Sequence, residues 1–147
     1  MDQLDAVDIL LVEDNPRDVE LTVRAFKKHN LANRLFVLED GMDALDFIFA
    51  RGKFAQREPH HHPKVVFLDI KLPKLNGLEV LRAIKSNEQT QSIPVVMVTS
   101  SREDPDIKTA YELGANSYVV KPVEFDAFQD VMLRLGFYWL MVNQPDG

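Results

Sequence analysis

The stretch between positions 65 and 77 constrains the fold more than any other part of the chain. It reads Val-Val-Phe-Leu-Asp-Ile-Lys-Leu-Pro-Lys-Leu-Asn-Gly. Four consecutive apolar residues, two of them β-branched, predict a strand that is buried on both faces. A charge inside such a strand would be costly, so Asp69 must lie at its end, within reach of solvent or a ligand. Pro73 and the Asn76-Gly77 pair predict the turn that follows, and from this stretch alone Asp69 could equally be a turn residue.

Four further strands are predicted from apolar or alternating runs, and helical patterns separate them. The predicted strands cover residues 7–12, 34–38, 65–68, 93–98 and 117–120. The predicted helices cover residues 16–28 and 44–49, and three more begin at 77, at 104 and near 124. This alternation predicts an α/β three-layer sandwich, with a parallel sheet between two layers of helices. Right-handed crossovers favour the flavodoxin-like strand order 2-1-3-4-5 for five strands.

The 147 residues suit one such domain with short flanking segments. We assign residues 1–6 to an N-terminal tail, 7–135 to the domain and 136–147 to an apolar C-terminal extension. The chain has no cysteine, a net charge of −6 and no apolar run long enough to span a membrane. We therefore expect a cytoplasmic protein that has no disulfide and does not bind nucleic acid or membrane. Residues 51–64, which are polar and basic, predict a long surface loop.

Polar side chains follow four of the predicted strands, at ends that meet on one edge of a parallel sheet. They are Glu13, Asp14, Asp69, Thr99 and Lys121. Three neighbouring carboxylates repel one another unless a cation lies among them, and Mg²⁺ prefers oxygen ligands while keeping room for a phosphate oxygen. The charges of Mg²⁺ and Lys121 would neutralise the three carboxylates, so the site could hold an added phosphoryl group. Each residue taken singly could be a turn, loop or helix-end residue, but their joint occurrence favours a site.

Several other polar residues have a simpler interpretation. Asp18 and Glu20 suit the positive end of the helix that begins at Pro16, and His29 suits the negative end of that helix. The three histidines at 60–62 could suggest a metal site. Consecutive side chains in an extended loop cannot all face one ion, so a solvated loop is the preferred interpretation.

Four segments resemble the receiver domain of two-component response regulators, and the resemblance extends over residues 7–135. They are Val-Glu-Asp-Asn at 12–15, Phe-Leu-Asp-Ile-Lys-Leu-Pro-Lys-Leu-Asn-Gly at 67–77, Val-Thr-Ser-Ser at 98–101 and Ser-Tyr-Val-Val-Lys-Pro at 117–122. The resemblance implies that a sensor histidine kinase transfers a phosphoryl group to Asp69, with Mg²⁺ as cofactor. It also implies a signalling protein rather than an enzyme, one that assists its own phosphorylation and dephosphorylation.

The resemblance implies how the metal would be held. Asp14 and Asp69 would bind Mg²⁺ directly, and Glu13 would act through a water molecule. The backbone carbonyl of Lys71 would be the third direct protein ligand.

The resemblance further implies the residues that respond to phosphorylation. Lys121 would bind the phosphoryl oxygens, and the bond between Lys121 and Pro122 would be cis. Thr99 would be the switch hydroxyl that moves toward the phosphoryl group. Tyr118 would be the switch aromatic that fills the space left by Thr99, which we state as a hypothesis about a population shift.

Two other classes of protein fit the sequence less well, and two receiver roles stay open. A phosphatase with an aspartyl-phosphate intermediate would want a second acid at position 71, where this chain has lysine. A flavodoxin-like cofactor binder needs a phosphate loop after the first strand, where Glu13 and Asp14 would repel a phosphate. A stand-alone regulator would act through protein contact, whereas a phosphorelay intermediate would pass the phosphoryl group to a histidine phosphotransfer protein.

The C-terminal segment is more apolar than a minimal receiver domain requires. The inward face of the last helix is expected to contain Phe125, Phe128, Val131, Met132 and Leu135. The residues Phe137, Tyr138, Trp139 and Leu140 then predict either a homodimer contact, which we prefer, or a segment folded back on the core. Together with the loop at 51–64, this ending is similar to that of small stand-alone regulators paired with cyanobacterial-type phytochrome kinases. A phytochrome partner is implied by that resemblance.

Overall fold

The computed structural model describes residues 6–145 of the chain. Its five strands are Ile9–Val12 (β1), Leu35–Leu38 (β2), Val65–Leu68 (β3), Val95–Thr99 (β4) and Ser117–Val120 (β5). Every pair of neighbouring strands is parallel, and the order in the sheet is β2-β1-β3-β4-β5. This confirms the predicted flavodoxin-like α/β fold.

Five helices connect and cover the strands. They are Pro16–Lys28 (α1), Gly41–Ile48 (α2), Gly77–Lys85 (α3), Asp104–Glu112 (α4) and Phe125–Phe137 (α5). Short 3₁₀ turns lie at Ala32–Arg34 and Gly52–Phe54, and a π-helical turn at Tyr138–Val142 continues α5. Asparagine side chains cap the N-termini of two helices: Asn15 caps α1 and Asn76 caps α3. Their side-chain oxygens accept hydrogen bonds from backbone N–H groups of the first turn.

Two apolar cores, one on each face of the sheet, explain why the strands are continuous apolar runs. The first core lies beneath α2, α3 and α4, and the second lies beneath α1 and α5. Alternate residues of β1 and β3 enter opposite cores, and all eight of them are buried. Strands covered on both faces leave only their ends to polar side chains, so the polar residues collect at one edge of the sheet.

The register of the sheet fixes which strand ends are neighbours. Val12 of β1 pairs with Leu68 of β3, so the residues that follow them, Glu13 and Asp69, lie side by side. Thr99 of β4 pairs with Val120 of β5, and the backbone N–H of Lys121 donates to the Thr99 carbonyl at 2.8 Å. The four strand ends singled out in the sequence therefore meet at one edge.

The segment at 51–64 lies mostly at the surface, as predicted, but it buries Phe54, Arg57 and Pro63. Phe54 is buried against Phe47, and the side chain of Arg57 is only 2% exposed. The Arg57 guanidinium donates to the carbonyls of Phe47 and His61 and lies 4.4 Å from the centroid of the Phe47 ring. A guanidinium that donates to two carbonyls and lies over an aromatic face can be buried at small cost, so Arg57 is buried while the lysines of this segment stay exposed.

One face of the C-terminal segment folds back on the core, and the other face is exposed. Leu140 is 7% exposed and joins the core beneath α1 and α5, and Trp139 packs against the same core. Leu140 was expected in a dimer contact, but its burial within the chain removes it from the accessible surface. Phe137 and Tyr138 are 37% and 43% exposed. The segment therefore buries one face against the core and leaves Phe137 and Tyr138 partly in solvent.

Two further expectations are corrected. Phe125 was placed on the inward face of the last helix, but it is 53% exposed because it lies in the first turn of α5, beside the guanidinium of Arg17. The bond between Lys121 and Pro122 was expected to be cis, whereas the described residues contain no cis peptide bond. The trans form is the intrinsically favoured one for an X–Pro bond.

Between residues 6 and 145, no helix has both the length and the apolar character that a membrane crossing requires.

Candidate functional site

Asp69 lies at the end of β3 with one carboxylate oxygen fixed by the backbone and the other by a lysine. Its Oδ1 accepts a hydrogen bond from the N–H of Ile70 at 2.7 Å, and its Oδ2 lies 2.9 Å from Nζ of Lys121. Asp69 is 8% exposed and borders a cleft of about 370 Å³. The other residues of the cleft are Lys71, Thr99, Ser100, Ser101, Arg102, Glu103 and Asp106. A small anionic group could therefore reach the Asp69 carboxylate from the cleft.

Glu13 and Asp14 complete an acidic cluster with Asp69. One carboxylate oxygen from each of the three lies within 4.8 Å of the others, and this is the only cluster of its kind in the described part of the chain. Glu13 is 3% exposed, whereas Asp14 is exposed. Oxygen donors at this spacing fit a hard divalent cation.

Burial raises the pKa of Glu13 to about 7, although its hydrogen bond with Lys121 acts in the opposite direction. The nearby charge of Asp69 adds to the rise. Burial and the neighbouring charge therefore disfavour the ionised form of Glu13, and a divalent cation bound at the cluster would favour it.

Lys121 supplies the central positive charge of the site. Its Nζ lies 2.5 Å from Oε1 of Glu13, 2.9 Å from Oδ2 of Asp18 and 2.9 Å from Oδ2 of Asp69. Burial alone would lower the pKa of the Lys121 ammonium, but the hydrogen bond to Glu13 and the surrounding carboxylates raise it above its ordinary value. Lys121 is therefore a permanent cation at this edge of the sheet.

Asp18 is the one residue of the site that sequence reasoning missed. It was interpreted as a charge at the helix end, yet it is 4% exposed and faces Lys121. It lies at helical spacing from the inward-facing Leu21, Thr22 and Ala25 of α1. A carboxylate on the inward stripe of an amphipathic helix is the signal that could have identified it, because such a group needs a buried partner.

Thr99 borders the same cleft as Asp69, and Tyr118 is bonded to the loop that follows Thr99. Thr99 is 2% exposed, and its Oγ1 accepts a long hydrogen bond of 3.4 Å from the N–H of Ser101. The hydroxyl of Tyr118 donates to the carbonyl of Ser101 at 2.9 Å. The Ser101 hydroxyl in turn donates to Oδ2 of Asp106 at 2.6 Å. Thr99 and Tyr118 are thus connected through one loop residue.

The turn after Asp69 is held closed by a glycine. The N–H of Gly77 donates to the carbonyl of Ile70 at 2.7 Å, which brings the start of α3 against the end of β3. A Cβ at Gly77 would overlap the carbonyl of Asp69 and would lie 2.9 Å from Cα of Ile70. This close approach also fixes the position of Lys71, which lies in the same turn.

The fold and the site together define a receiver domain, and comparisons with known proteins agree. The model of the response regulator receiver domain family matches residues 9–132. The chain belongs to that family.

Two curated relatives match most of the chain. "Probable methanogenesis regulatory protein FilR2" of Methanothrix harundinacea is 38% identical and is aligned over 99% of this chain and 94% of its own length. Response regulator Rcp1 of a Synechocystis species is 34% identical over 90% of this chain and 88% of its own length.

Three solved structures share the fold over nearly the whole chain. The Mn²⁺-bound form of Rcp1 is 32% identical, with a TM-score of 0.86 over 95% of this chain and 98% of its own. The phosphorylated cyanobacterial phytochrome response regulator RcpA is 30% identical, with a TM-score of 0.87 over 95% and 97%. The bacteriophytochrome response regulator RtBRR is 51% identical, with a TM-score of 0.72 over 94% and 82%.

Proposed function

We propose that the protein is a phosphoacceptor response regulator in which a sensor histidine kinase phosphorylates Asp69 in the presence of Mg²⁺. The observation that carries this proposal is the position of Asp69, between a lysine ammonium at 2.9 Å and two further carboxylates of an acidic cluster. Family membership and a relative crystallised with Mn²⁺ support the divalent cation.

The reaction uses the residues of the site to position and neutralise charge rather than to move protons. The Asp69 carboxylate attacks the phosphorus of a phosphohistidine in line. The O–P bond forms as the P–N bond breaks, and the imidazole leaves with the electron pair. Lys121 holds the Asp69 carboxylate toward the cleft and then pairs with the oxygens of the transferred group. A divalent cation held by Glu13, Asp14, Asp69 and the Lys71 carbonyl would offset the negative charge on these oxygens.

The proposed response to phosphorylation is a change in packing at Thr99 and Tyr118. The weak hydrogen bond at 3.4 Å leaves the Thr99 hydroxyl available to a phosphoryl oxygen across the cleft. Movement of Thr99 would disturb Ser101, to which Tyr118 is bonded. A population shift of this kind alters the surface formed by α4, β5 and α5, so the proposed output is contact with another protein.

The proposed partner is a phytochrome-type histidine kinase, which the phytochrome relatives RcpA and RtBRR support. Because such a kinase consumes ATP, we place the protein in the cytoplasm. No nucleic-acid or membrane contact is part of the proposal, and the protein is a signalling acceptor rather than an enzyme.

A kinase panel tests the partner. The protein is incubated with labelled ATP and either a phytochrome histidine kinase or a histidine kinase of another sensory class at equal concentration. We expect initial phosphorylation to be at least about 10-fold faster with the phytochrome kinase, which corresponds to about 1.4 kcal/mol of discrimination. Equal rates would overturn the phytochrome assignment. Loss of label to an added histidine phosphotransfer protein would assign the protein to a relay instead of an output role.

The exposed apolar part of the C-terminal segment supports a homodimer contact. Phe137, Tyr138, Met141 and Val142 are between 37% and 72% exposed and lie on consecutive turns at the end of α5. An apolar patch of this kind is typical of an interface. The proposed contact uses these residues, together with the accessible part of Trp139 but without the buried Leu140.

Sedimentation of a double variant tests the dimer. We expect the wild type to sediment at twice the chain mass of 16.8 kDa at micromolar concentrations, and Tyr138→Ser with Met141→Ser to sediment as a monomer. Met42→Ser is the matched control, because Met42 is a similarly exposed apolar residue on α2. A monomeric wild type, or a double variant that stays dimeric, would rule out this contact.

A further inference from the structure

Lys121 contacts three carboxylates, and only two of them belong to the acidic cluster. Glu13 and Asp69 are members of the cluster that fits a divalent cation. Asp18 is not a member, yet its Oδ2 lies as close to Nζ of Lys121 as Oδ2 of Asp69 does, at 2.9 Å. Asp18 is thus an additional carboxylate, beside the three of the acidic cluster. Neither the metal site nor the phosphoacceptor requires it, so its contact with Lys121 needs a separate explanation.

The backbone of Asp18 is fixed by α1. Its N–H points to the capping oxygen of Asn15 at 3.4 Å, and its carbonyl accepts from the hydroxyl of Thr22 at 2.8 Å. The side chain is buried, and its Oδ1 lies 3.4 Å from a guanidinium nitrogen of the exposed Arg17. The strong partner of this carboxylate is therefore Lys121, whose Nζ lies 2.9 Å from Oδ2.

The three contacts of Lys121 differ in what the reaction does to them. Asp69 becomes an acyl phosphate, so its carboxylate charge and its Oδ2 contact with Lys121 are altered. Glu13 belongs to the acidic cluster, so a bound cation would share its charge with Lys121. Asp18 neither reacts nor belongs to the metal cluster, so its contact with Lys121 can persist from the free protein to the phosphorylated one.

We propose that Asp18 is a positioning residue that holds the Lys121 ammonium beside the phosphoacceptor before, during and after phosphoryl transfer. This inference rests on the proposed phosphorylation of Asp69. Lysine is a flexible four-carbon side chain that loses considerable rotamer freedom when its end is fixed. An anchor on α1 removes that freedom in advance, so the ammonium is in place when negative charge develops on the transferred oxygens.

The test compares three substitutions at position 18 with a control on the same helix. Asp18→Ala removes the anchor, Asp18→Asn keeps an oxygen acceptor but removes the charge, and Asp18→Glu keeps the charge on a longer side chain. Glu20→Ala removes an exposed carboxylate two residues away, whose partner is Arg24. Phosphoramidate with Mg²⁺ serves as the donor, so binding of a kinase cannot influence the rate.

We expect the phosphorylation rate constant to fall about 10-fold or more in Asp18→Ala, less in Asp18→Asn, and to be partly restored in Asp18→Glu. Glu20→Ala is expected to behave as the wild type. The loss should be absent when Asp18→Ala is introduced into Lys121→Met, because the anchor then has nothing to hold. A rate within twofold of wild type in a folded Asp18→Ala or Asp18→Asn would overturn the proposal, as would an equal loss in the Lys121→Met background.

A spectroscopic measurement needs no phosphoryl donor and separates this inference from the proposed function. The ammonium protons of a lysine held by several carboxylates exchange slowly enough to give a ¹⁵N-coupled signal, and we expect this signal for Lys121 in the wild type. It should broaden or disappear in Asp18→Asn and persist in Glu20→Ala. An unchanged Lys121 signal would reject the anchor. A wild type that shows the anchored signal but takes no phosphoryl group on Asp69 would reject the proposed function and retain the anchor.

Discussion

The variant Asp69→Asn is expected to take up no phosphoryl group under conditions in which the wild type takes up one. An amide oxygen is a poor nucleophile compared with a carboxylate, and the substitution also removes a negative ligand from the acidic cluster. We expect at least about a 100-fold loss of rate, of the size seen when an essential reacting group is removed. Intact-mass spectrometry after incubation with phosphoramidate and Mg²⁺ measures the gain of one phosphoryl group per chain.

The matched control for this experiment is Glu103→Gln. Glu103 borders the same cleft but is exposed and lies outside the acidic cluster, so its loss should leave phosphorylation near the wild-type level. A folded Asp69→Asn protein that still gains the mass of a phosphoryl group would show that another residue is the acceptor. Thermal unfolding of both variants checks that each retains the fold.

The same samples report on the switch. Phosphorylation of the wild type should shift the NMR signals of the Tyr118 ring, because its hydroxyl is bonded to Ser101 and Ser101 contacts Thr99. The signals should not shift in Asp69→Asn. A phosphorylated wild type with unchanged Tyr118 signals would separate the chemistry of Asp69 from the proposed packing change.

The five strands could be predicted from the sequence to within two residues at each end, because each strand carries its own signal. Runs such as Val65–Leu68 are apolar at every position, which is the pattern of a strand that two helical layers cover. Right-handed crossovers leave few strand orders, and in the flavodoxin-like order the ends of these strands lie at one edge of the sheet. Glu13, Asp69, Thr99 and Lys121 could therefore be brought together before any coordinates were known.

The features that the sequence did not predict depend on contacts between distant segments. Asp18 is an ordinary residue for the first turn of a helix. Its place on the inward stripe of α1 indicates burial, but its partner Lys121 lies far along the chain, just after β5. Arg57 is a polar residue in a polar segment, and its burial depends on the carbonyl of Phe47. Helix-end preferences and loop composition describe local structure, so they cannot identify such partners.

Gly77→Ala is expected to be among the most damaging single substitutions near the site, although alanine is normally the better residue in a helix. Replacing glycine by alanine in a helix usually stabilises it by about 1 kcal/mol. Here the added methyl group would meet backbone atoms of Asp69 and Ile70, which cannot turn aside as a side chain can. Overpacking of this kind lowers the free energy of unfolding by about 1–3 kcal/mol. Because the overlap is with backbone atoms, we expect the loss for Gly77→Ala to be about 3 kcal/mol.

Urea unfolding followed by circular dichroism measures the stability, and calorimetric titration with Mg²⁺ measures the metal site. We expect Gly77→Ala to lose about 3 kcal/mol of unfolding free energy and about 10-fold in Mg²⁺ affinity, because the turn that it displaces carries Asp69 and Lys71. Gly52→Ala is the matched control. Its φ of +60° costs alanine about 1–2 kcal/mol, but its methyl group meets only the side chain of Asp46, remote from the acidic cluster, so Mg²⁺ affinity should not change. If Gly77→Ala matched the wild type in both measurements, the close approach of α3 to β3 would not be what holds Asp69 in place.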